Sequence, residues 1–208
     1  ENHELANMIE KNNISFIGPP AKAILAMGDK IESRKIAKKA GINCIPGIDA
    51  AVSSPSEAIK YAKKIGFPVM IKASAGGGGK GMRIAKSALG FDALFSSAQN
   101  EANNAFGDDR IFIEKYIENP RHIEIQILGD KFGNIIYLGE RECSVQRRHQ
   151  KIIEEAPSSF IDNNIRNAMG KQAILLAKSV GYYSAGTVEY VVNKNKEFFF
   201  LEMNTRLQ

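Results

Sequence analysis

The sequence predicts a mixed α/β (α+β) chain, and three observations carry that prediction. Short apolar runs of strand character alternate with stretches of helical period. Glycine, proline, asparagine and aspartate punctuate the junctions between them. The composition is globular: 208 residues, 44% hydrophobic and 25% charged, which excludes disordered, collagenous and coiled-coil chains. A chain of this length forms one large domain or two small ones and buries roughly 70% of its unfolded surface.

Taken in order, residues 14–17 read as a strand that breaks at Gly18-Pro19-Pro20, and residues 21–40 as one helix stopped by Gly41. Residues 41–46 then form a linker. Ser54-Pro55-Ser56-Glu57 has the order of a helix start, with Ser54 as cap and Pro55 in the first turn, so an amphipathic helix follows to Ile65. Residues 68–73 read as a buried strand that runs straight into Ser74-Ala75-Gly76-Gly77-Gly78-Gly79-Lys80-Gly81. Strand character resumes over 82–85, which makes the glycines the tip of a hairpin. A helix over about 88–105 leads through Gly107-Asp108-Asp109 to a strand over 110–117. Residues 45–117 thereby make a small α/β unit. Past Asn119-Pro120, residues 122–128 and 134–140 alternate around Gly129-Asp130-Lys131-Phe132-Gly133 as an antiparallel hairpin. A basic loop at 146–151 precedes a helix over about 162–180, and strands at 185–192 and 198–204 flank a turn at 193–196.

Cys44 and Cys143 lie far apart with no Cys-x-x-Cys partner, which leaves neither a disulfide framework nor a zinc knuckle and points to a reducing compartment. No apolar run approaches the roughly 20 residues that a membrane helix needs. The start, Glu1-Asn2-His3-Glu4, lacks the order of a signal peptide. A soluble, intracellular protein with no membrane partner is expected, and its abrupt ends suggest an excised piece. The net charge of +5 suits nucleic acid or an anionic nucleotide equally well.

Gly76, Gly78 and Gly81 match G-x-G-x-x-G, but the dinucleotide fingerprint needs a helix next and a strand follows here. A P-loop is excluded because Lys80 precedes Gly81 rather than Ser or Thr. What remains is a hairpin tip whose bare N–H groups can close over phosphate oxygens, or a plain surface turn. Ordering four adjacent glycines is entropically costly, which favours a loop that must approach a ligand. Lys72 ends an apolar strand and must either snorkel to solvent or meet an anion. Lys72 and Lys115 both stand at strand ends and are expected to serve a ligand rather than stability. Glu189 and Glu202 sit on successive strands, with Asn204 on the face of Glu202, so paired strands would converge three oxygen donors suited to Mg²⁺. The competing reading is a pair of exposed carboxylates. Gln146-Arg147-Arg148-His149-Gln150-Lys151 is either a nucleic-acid patch or a solvated turn, and no aromatics interleave it for base stacking. His122, taken alone, reads as structural.

Five strings in order resemble the biotin carboxylases of the ATP-grasp superfamily. These are Gly28-Asp29-Lys30, Ile71-Lys72-Ala73-Ser74-Ala75 with its glycines, residues 114–124, residues 143–151, and Leu201-Glu202-Met203-Asn204-Thr205-Arg206. Met27 to Ser33 and Ser74 to Arg83 look most like the propionyl-CoA type. The resemblance implies an ATP-grasp fold. Residues 1–44 would end a Rossmann-like preceding domain, 45–117 would be the lid, and 118–208 would begin the larger half.

Carried over by motif, Lys30 and Lys72 contact ATP phosphates, while Gly78 and Gly79 sit in the closing loop. Glu114, Lys115, Tyr116 and Ile117 meet the adenine, and His122, Gln146 and His149 complete the pocket. Glu189, Glu202 and Asn204 hold Mg²⁺ or Mn²⁺. Lys151 and Arg206 carry the catalytic role and, with Gln208, face bicarbonate or the biotin ring. The implied reaction joins bicarbonate to the γ-phosphoryl group and passes the carboxyl group to biotin on a carrier domain outside this chain. A carboxyltransferase subunit and a homo-oligomer are further implied partners, with no nucleic acid. The implied location is the cytoplasm of a bacterium or the mitochondrial matrix of a eukaryote. In the family the last strand continues into a Val-Glu-His segment that supplies the base for bicarbonate, so this stretch alone is expected to be inactive. A carbamoyl phosphate synthetase type of ligase and a basic nucleic-acid-binding domain are the alternatives.

Overall fold

The computed structural model describes residues 1–75, 79–147 and 149–208. Helices α1 (His3–Lys11), α2 (Ala21–Gly28) and α3 (Lys30–Lys39) come first, followed by α4 (Pro55–Ile65). Strands β1 (Val69–Ala73), β2 (Met82–Ala85) and β3 (Ile111–Lys115) form a three-stranded antiparallel sheet in the order β2-β1-β3, with α5 (Phe91–Phe106) between β2 and β3. The remaining strands are β4 (Arg121–Gly129), β5 (Ile135–Arg147), β6 (Gln150–Glu155), β7 (Ser184–Val192) and β8 (Phe198–Asn204), and α6 (Asn163–Ser179) joins β6 to β7. They pair antiparallel in the order β6-β5-β4-β7-β8.

Local signals account for the helix starts. Ser54 accepts the Glu57 N–H at 3.3 Å and Pro55 opens α4, while Asp162 caps α6 by accepting from Asn164 and Ile165. The helix expected over residues 21–40 is two helices. Asp29 leaves helical geometry (φ −97°, ψ 123°) and its Oδ1 caps α3 through Ile31 and Glu32, at 2.8 and 3.0 Å. Asp competes with the backbone for hydrogen bonds and so favours a cap over a helix interior. The strand expected at residues 14–17 is not one. It is a connector with no partner strand among the described residues, and Ile17 is 97% exposed. The basic loop expected at 146–151 is also different: β5 runs on to Arg147, β6 begins at Gln150, and Gln146 pairs with Lys151. Arg148 lies outside the described residues.

Two main cores result. The three-stranded sheet buries Val69, Ile71, Ile111 and Ile113 against Phe91, Phe95, Ala98 and Ala102 of α5 and Ala58 and Ala62 of α4. On the large sheet, the two-residue period of β4 sends Ile123, Ile125 and Ile127 to one face, against Met169, Ala173, Leu176 and Ala177 of α6. Ala23, Met27 and Ala37 from α2 and α3 join this second core, so the first helices pack with the large sheet. The other face of β4 carries His122, Glu124 and Gln126. Ile125 is fully buried, so Ile125→Ala is expected to lower unfolding stability by about 2–5 kcal/mol in a denaturant titration.

Candidate functional site

Two contiguous clefts run along the line where the small unit faces the large sheet. The first, of about 290 Å³, has an apolar lining that includes Ile45, Met70, Ile117, Val191 and Leu201, with Glu114, Lys115 and Tyr116 on its β3 side. The second, of about 350 Å³, is lined by Lys30, Gly79, Lys151 and Arg206 and by Glu189, Glu202, Asn204 and Gln208. Lys72, Met82, His122, Gln146, His149 and Leu201 line both, so the apolar slot opens directly into the charged one. An apolar slot with convergent polar groups suits a planar heterocycle, and the cationic space beside it suits phosphates. Each site residue expected from the sequence lines one of these clefts, except Gly78, which lies outside the described residues.

The carboxylates are placed by strand register. Glu202 pairs with Glu189, Glu189 with Glu124, and Glu124 with Arg141, a straight row across β8, β7, β4 and β5. Like charges on directly opposed residues repel, so three carboxylates in a row need cations between them. The chain supplies several. Lys151 Nζ donates to both Glu124 and Glu189, the latter at 2.6 Å, and His122 Nε2 lies 2.6 Å from the other Glu189 oxygen. Arg141 bonds Glu124, and Lys30 lies 3.4 Å from Glu202. Asn204 Nδ2 donates to Glu189 at 2.5 Å. Burial alone would raise the Glu189 carboxyl, but the hydrogen bond and charge of His122, together with Lys151, hold it down at about 2. Burial likewise works against the Lys151 ammonium, yet Glu189 and Glu124 raise its pKa above the usual lysine value.

A depressed carboxyl pKa gives stability that is present above the unfolded value, near 4.5, and lost as pH falls through about 2. Acid-unfolding curves of the parent and Glu189→Gln are therefore expected to converge between those two pH values.

As a donor set, Glu189 and Glu202 offer hard oxygens on one face, which fits a divalent ion that also takes water and phosphate oxygens. His122, Glu124 and Glu189 also bring their ligand atoms within 4.8 Å of one another, with Lys151 now bridging the two carboxylates. Gly79 reaches the same place. Gly79 has φ +78°, and a Cβ there would lie 2.2 Å from the His149 ring, so a residue with a side chain cannot sit there without moving that ring. Gly79→Val is expected to weaken nucleotide binding while leaving the two cores intact, as read by calorimetry and near-UV circular dichroism.

The structure decides between the two readings of Lys72 and ties both strand-end lysines to neighbouring groups. Lys72 does not snorkel: it is buried and donates to Glu114 at 2.9 Å. Lys115 is tied back as well, donating to the carbonyls of Gly66 and Phe67 at 2.9 and 3.0 Å. Both lysines therefore also hold the fold, because removing a buried partner leaves a carboxylate or carbonyls uncompensated. Glu114 spends its carboxylate on Lys72 and Arg34. His122, read alone as structural, lines both clefts and is bound to Glu189 in the second. Arg206 sits at the exposed rim beside Glu1 and Gln208.

The row residue Glu124 was not singled out from the sequence, nor were Arg34 and Arg141. The alternation His122-Ile123-Glu124-Ile125-Gln126 carries a signal for Glu124, since it marks a polar face opposite a packed one. Arg34 carries a weaker one, as an arginine three residues from both Ile31 and Ala37 on the buried side of α3.

A family model described as carbamoyl-phosphate synthase L chain, ATP binding domain, matches residues 29–208. The propionyl-CoA carboxylase alpha chain of Ruegeria pomeroyi is 60% identical over 208 residues, which are 100% of this chain and 30% of that one. Among solved structures, the biotin carboxylase complex from Campylobacter jejuni superposes with a TM-score of 0.97 at 49% identity, covering 100% of this chain and 46% of that one. The biotin carboxylase domain dimer of the Hydrogenobacter thermophilus 2-oxoglutarate carboxylase, a complex with MgADP, ADP and bicarbonate, gives 0.95 at 48% identity, covering 100% and 46%. The chain thus spans about a third to a half of the proteins it matches. It belongs to the ATP-binding domain family of the carbamoyl-phosphate synthase L chain and carries the ATP-grasp fold in the form found in biotin carboxylases.

Proposed function

We propose that this chain binds MgATP and bicarbonate as the ATP-grasp part of a biotin carboxylase, and that the parent enzyme is of the propionyl-CoA carboxylase type. The observation that carries the reading is the junction of the two clefts. An apolar slot beside β3 opens at Lys72 into a space lined by Lys30, Lys151 and Arg206 and by the Glu189–Glu202 pair. In this reading the adenine lies in the slot, near Tyr116 and Ile117, and the phosphates pass Lys72 toward Lys30.

Glu189, Glu202 and Asn204 would hold Mg²⁺, which neutralises charge on the transferring phosphoryl group. Lys151 and Arg206, with Gln208, orient bicarbonate so that its oxygen attacks the γ-phosphorus as ADP leaves. The carboxyphosphate formed this way hydrolyses readily, so the glycine loop closes over it until the carboxyl group passes to a biotin ureido nitrogen and phosphate departs. Biotin arrives on a carrier domain, a carboxyltransferase subunit selects the acyl-CoA, and the enzyme assembles as a homo-oligomer. Its place is the cytoplasm of a bacterium or the matrix of a mitochondrion.

The test is ADP release by the intact carboxylase with ATP, Mg²⁺ and bicarbonate, with and without biotin. ADP release that needs bicarbonate and rises with biotin is the expected result. Release that needs ammonia or carbamate would favour a ligase of the carbamoyl phosphate synthetase type. Propionyl-CoA should outrun acetyl-CoA once the carboxyltransferase is added.

A further inference from the structure

A buried ion triad beside the junction between the clefts joins β1 and β3 to α3. Glu114 on β3 accepts from Lys72 Nζ on β1 at 2.9 Å and from Arg34 Nη1 on α3 at 3.0 Å. The three side chains are between 3% and 5% exposed. Both cations also lie against the Phe112 ring, at 5.6 and 5.8 Å from its centroid. The rest of the Arg34 fork is committed too, donating to the Ile45 carbonyl at 2.8 Å and to Asp49 at 3.3 Å. Arg34 lines neither cleft, whereas Lys72 lines both.

A lysine and a glutamate 2.9 Å apart form a pair without net charge, and in a poorly screened interior such a pair exerts little pull on an approaching anion. A second cation on the same carboxylate changes that balance. We propose that Arg34 is a positioning residue for nucleotide binding: it neutralises Glu114 and so leaves the Lys72 ammonium free in charge to attract a nucleotide phosphate at the junction of the clefts. This rests on the reading of the two clefts as a nucleotide site. Arginine suits the task because its planar fork serves three acceptors at once and keeps its charge at every physiological pH.

The experiment measures MgATP and adenosine binding to the full chain by calorimetry and takes the ratio of the two affinities. Arg34→Met is expected to lower that ratio roughly tenfold, the size of one lost charge contact of about 1.4 kcal/mol, with adenosine affinity unchanged. Arg34→Lys should recover most of it. Arg34→Met combined with Glu114→Gln should recover it as well, since removing the carboxylate frees the ammonium. Glu114→Gln alone should keep the ratio at or above the parent value, which keeps the inference testable if Arg34→Met does not fold. Equal losses for ATP and adenosine, no recovery in the double variant, or a lower ratio in Glu114→Gln would overturn it. Lys72→Met separates the two layers. If it leaves ATP affinity unchanged, the nucleotide reading of the junction fails. If it weakens ATP binding while Arg34→Met does not, only the role of Arg34 fails.

Discussion

Glu202→Gln is expected to lower bicarbonate-dependent ATP turnover in the intact carboxylase by about a hundredfold or more, equivalent to a few kcal/mol in the barrier. The substitution keeps the side chain's shape and its place on β8 opposite Glu189 and removes only the charge. Glu202 is the more exposed of the two carboxylates, and its recorded ion pair is with Lys30 at 3.4 Å, so little of the fold depends on it. The loss should therefore fall on turnover with only a small change in melting temperature. Raising Mg²⁺ should restore part of it, because the site has lost affinity rather than shape. A variant with parental turnover at all Mg²⁺ concentrations would make Glu202 an ordinary surface carboxylate.

Lys151→Met is expected to abolish detectable carboxylation and also to cost about 3–5 kcal/mol of stability, because it leaves Glu124 and Glu189 facing each other with one cation fewer. The two effects have separate origins and can be separated. Adding Glu124→Gln removes one of the stranded charges, so the double variant should regain much of the lost stability. Carboxylation should stay absent, since the Lys151 ammonium is then missing from the charged cleft. Thermal unfolding and carboxylation assays on the same pair of variants check both halves. Return of activity with the second substitution would make Lys151 a purely structural cation.

Much of this was readable from local pattern. Ser54-Pro55-Ser56-Glu57 announced α4, the glycine run flanked by strands announced the β1–β2 hairpin, and the spacing of Glu189, Glu202 and Asn204 put them on one face of paired strands. What escaped depended on partners distant in sequence. Residues 14–17 have strand composition, but a strand exists only beside another, and none of the described residues supplies one there. The string from Gln146 to Lys151 looks like a basic loop because its charges hide a hairpin pairing that the long β5 imposes. Lys72 and Glu114 are 42 residues apart, and Arg34 and Glu114 are 80 apart, so no local rule joins them. The row Glu202–Glu189–Glu124–Arg141 likewise appears only once three strand registers are known.

The most direct measurement is a structure of the chain co-crystallised with MgADP. The account predicts the adenine in the apolar slot between Met70 and Leu201, the phosphates turning at Lys72 toward Lys30, and the metal held by Glu189 and Glu202. A nucleotide bound elsewhere, or a metal coordinated away from that pair while both clefts stay open, would contradict it.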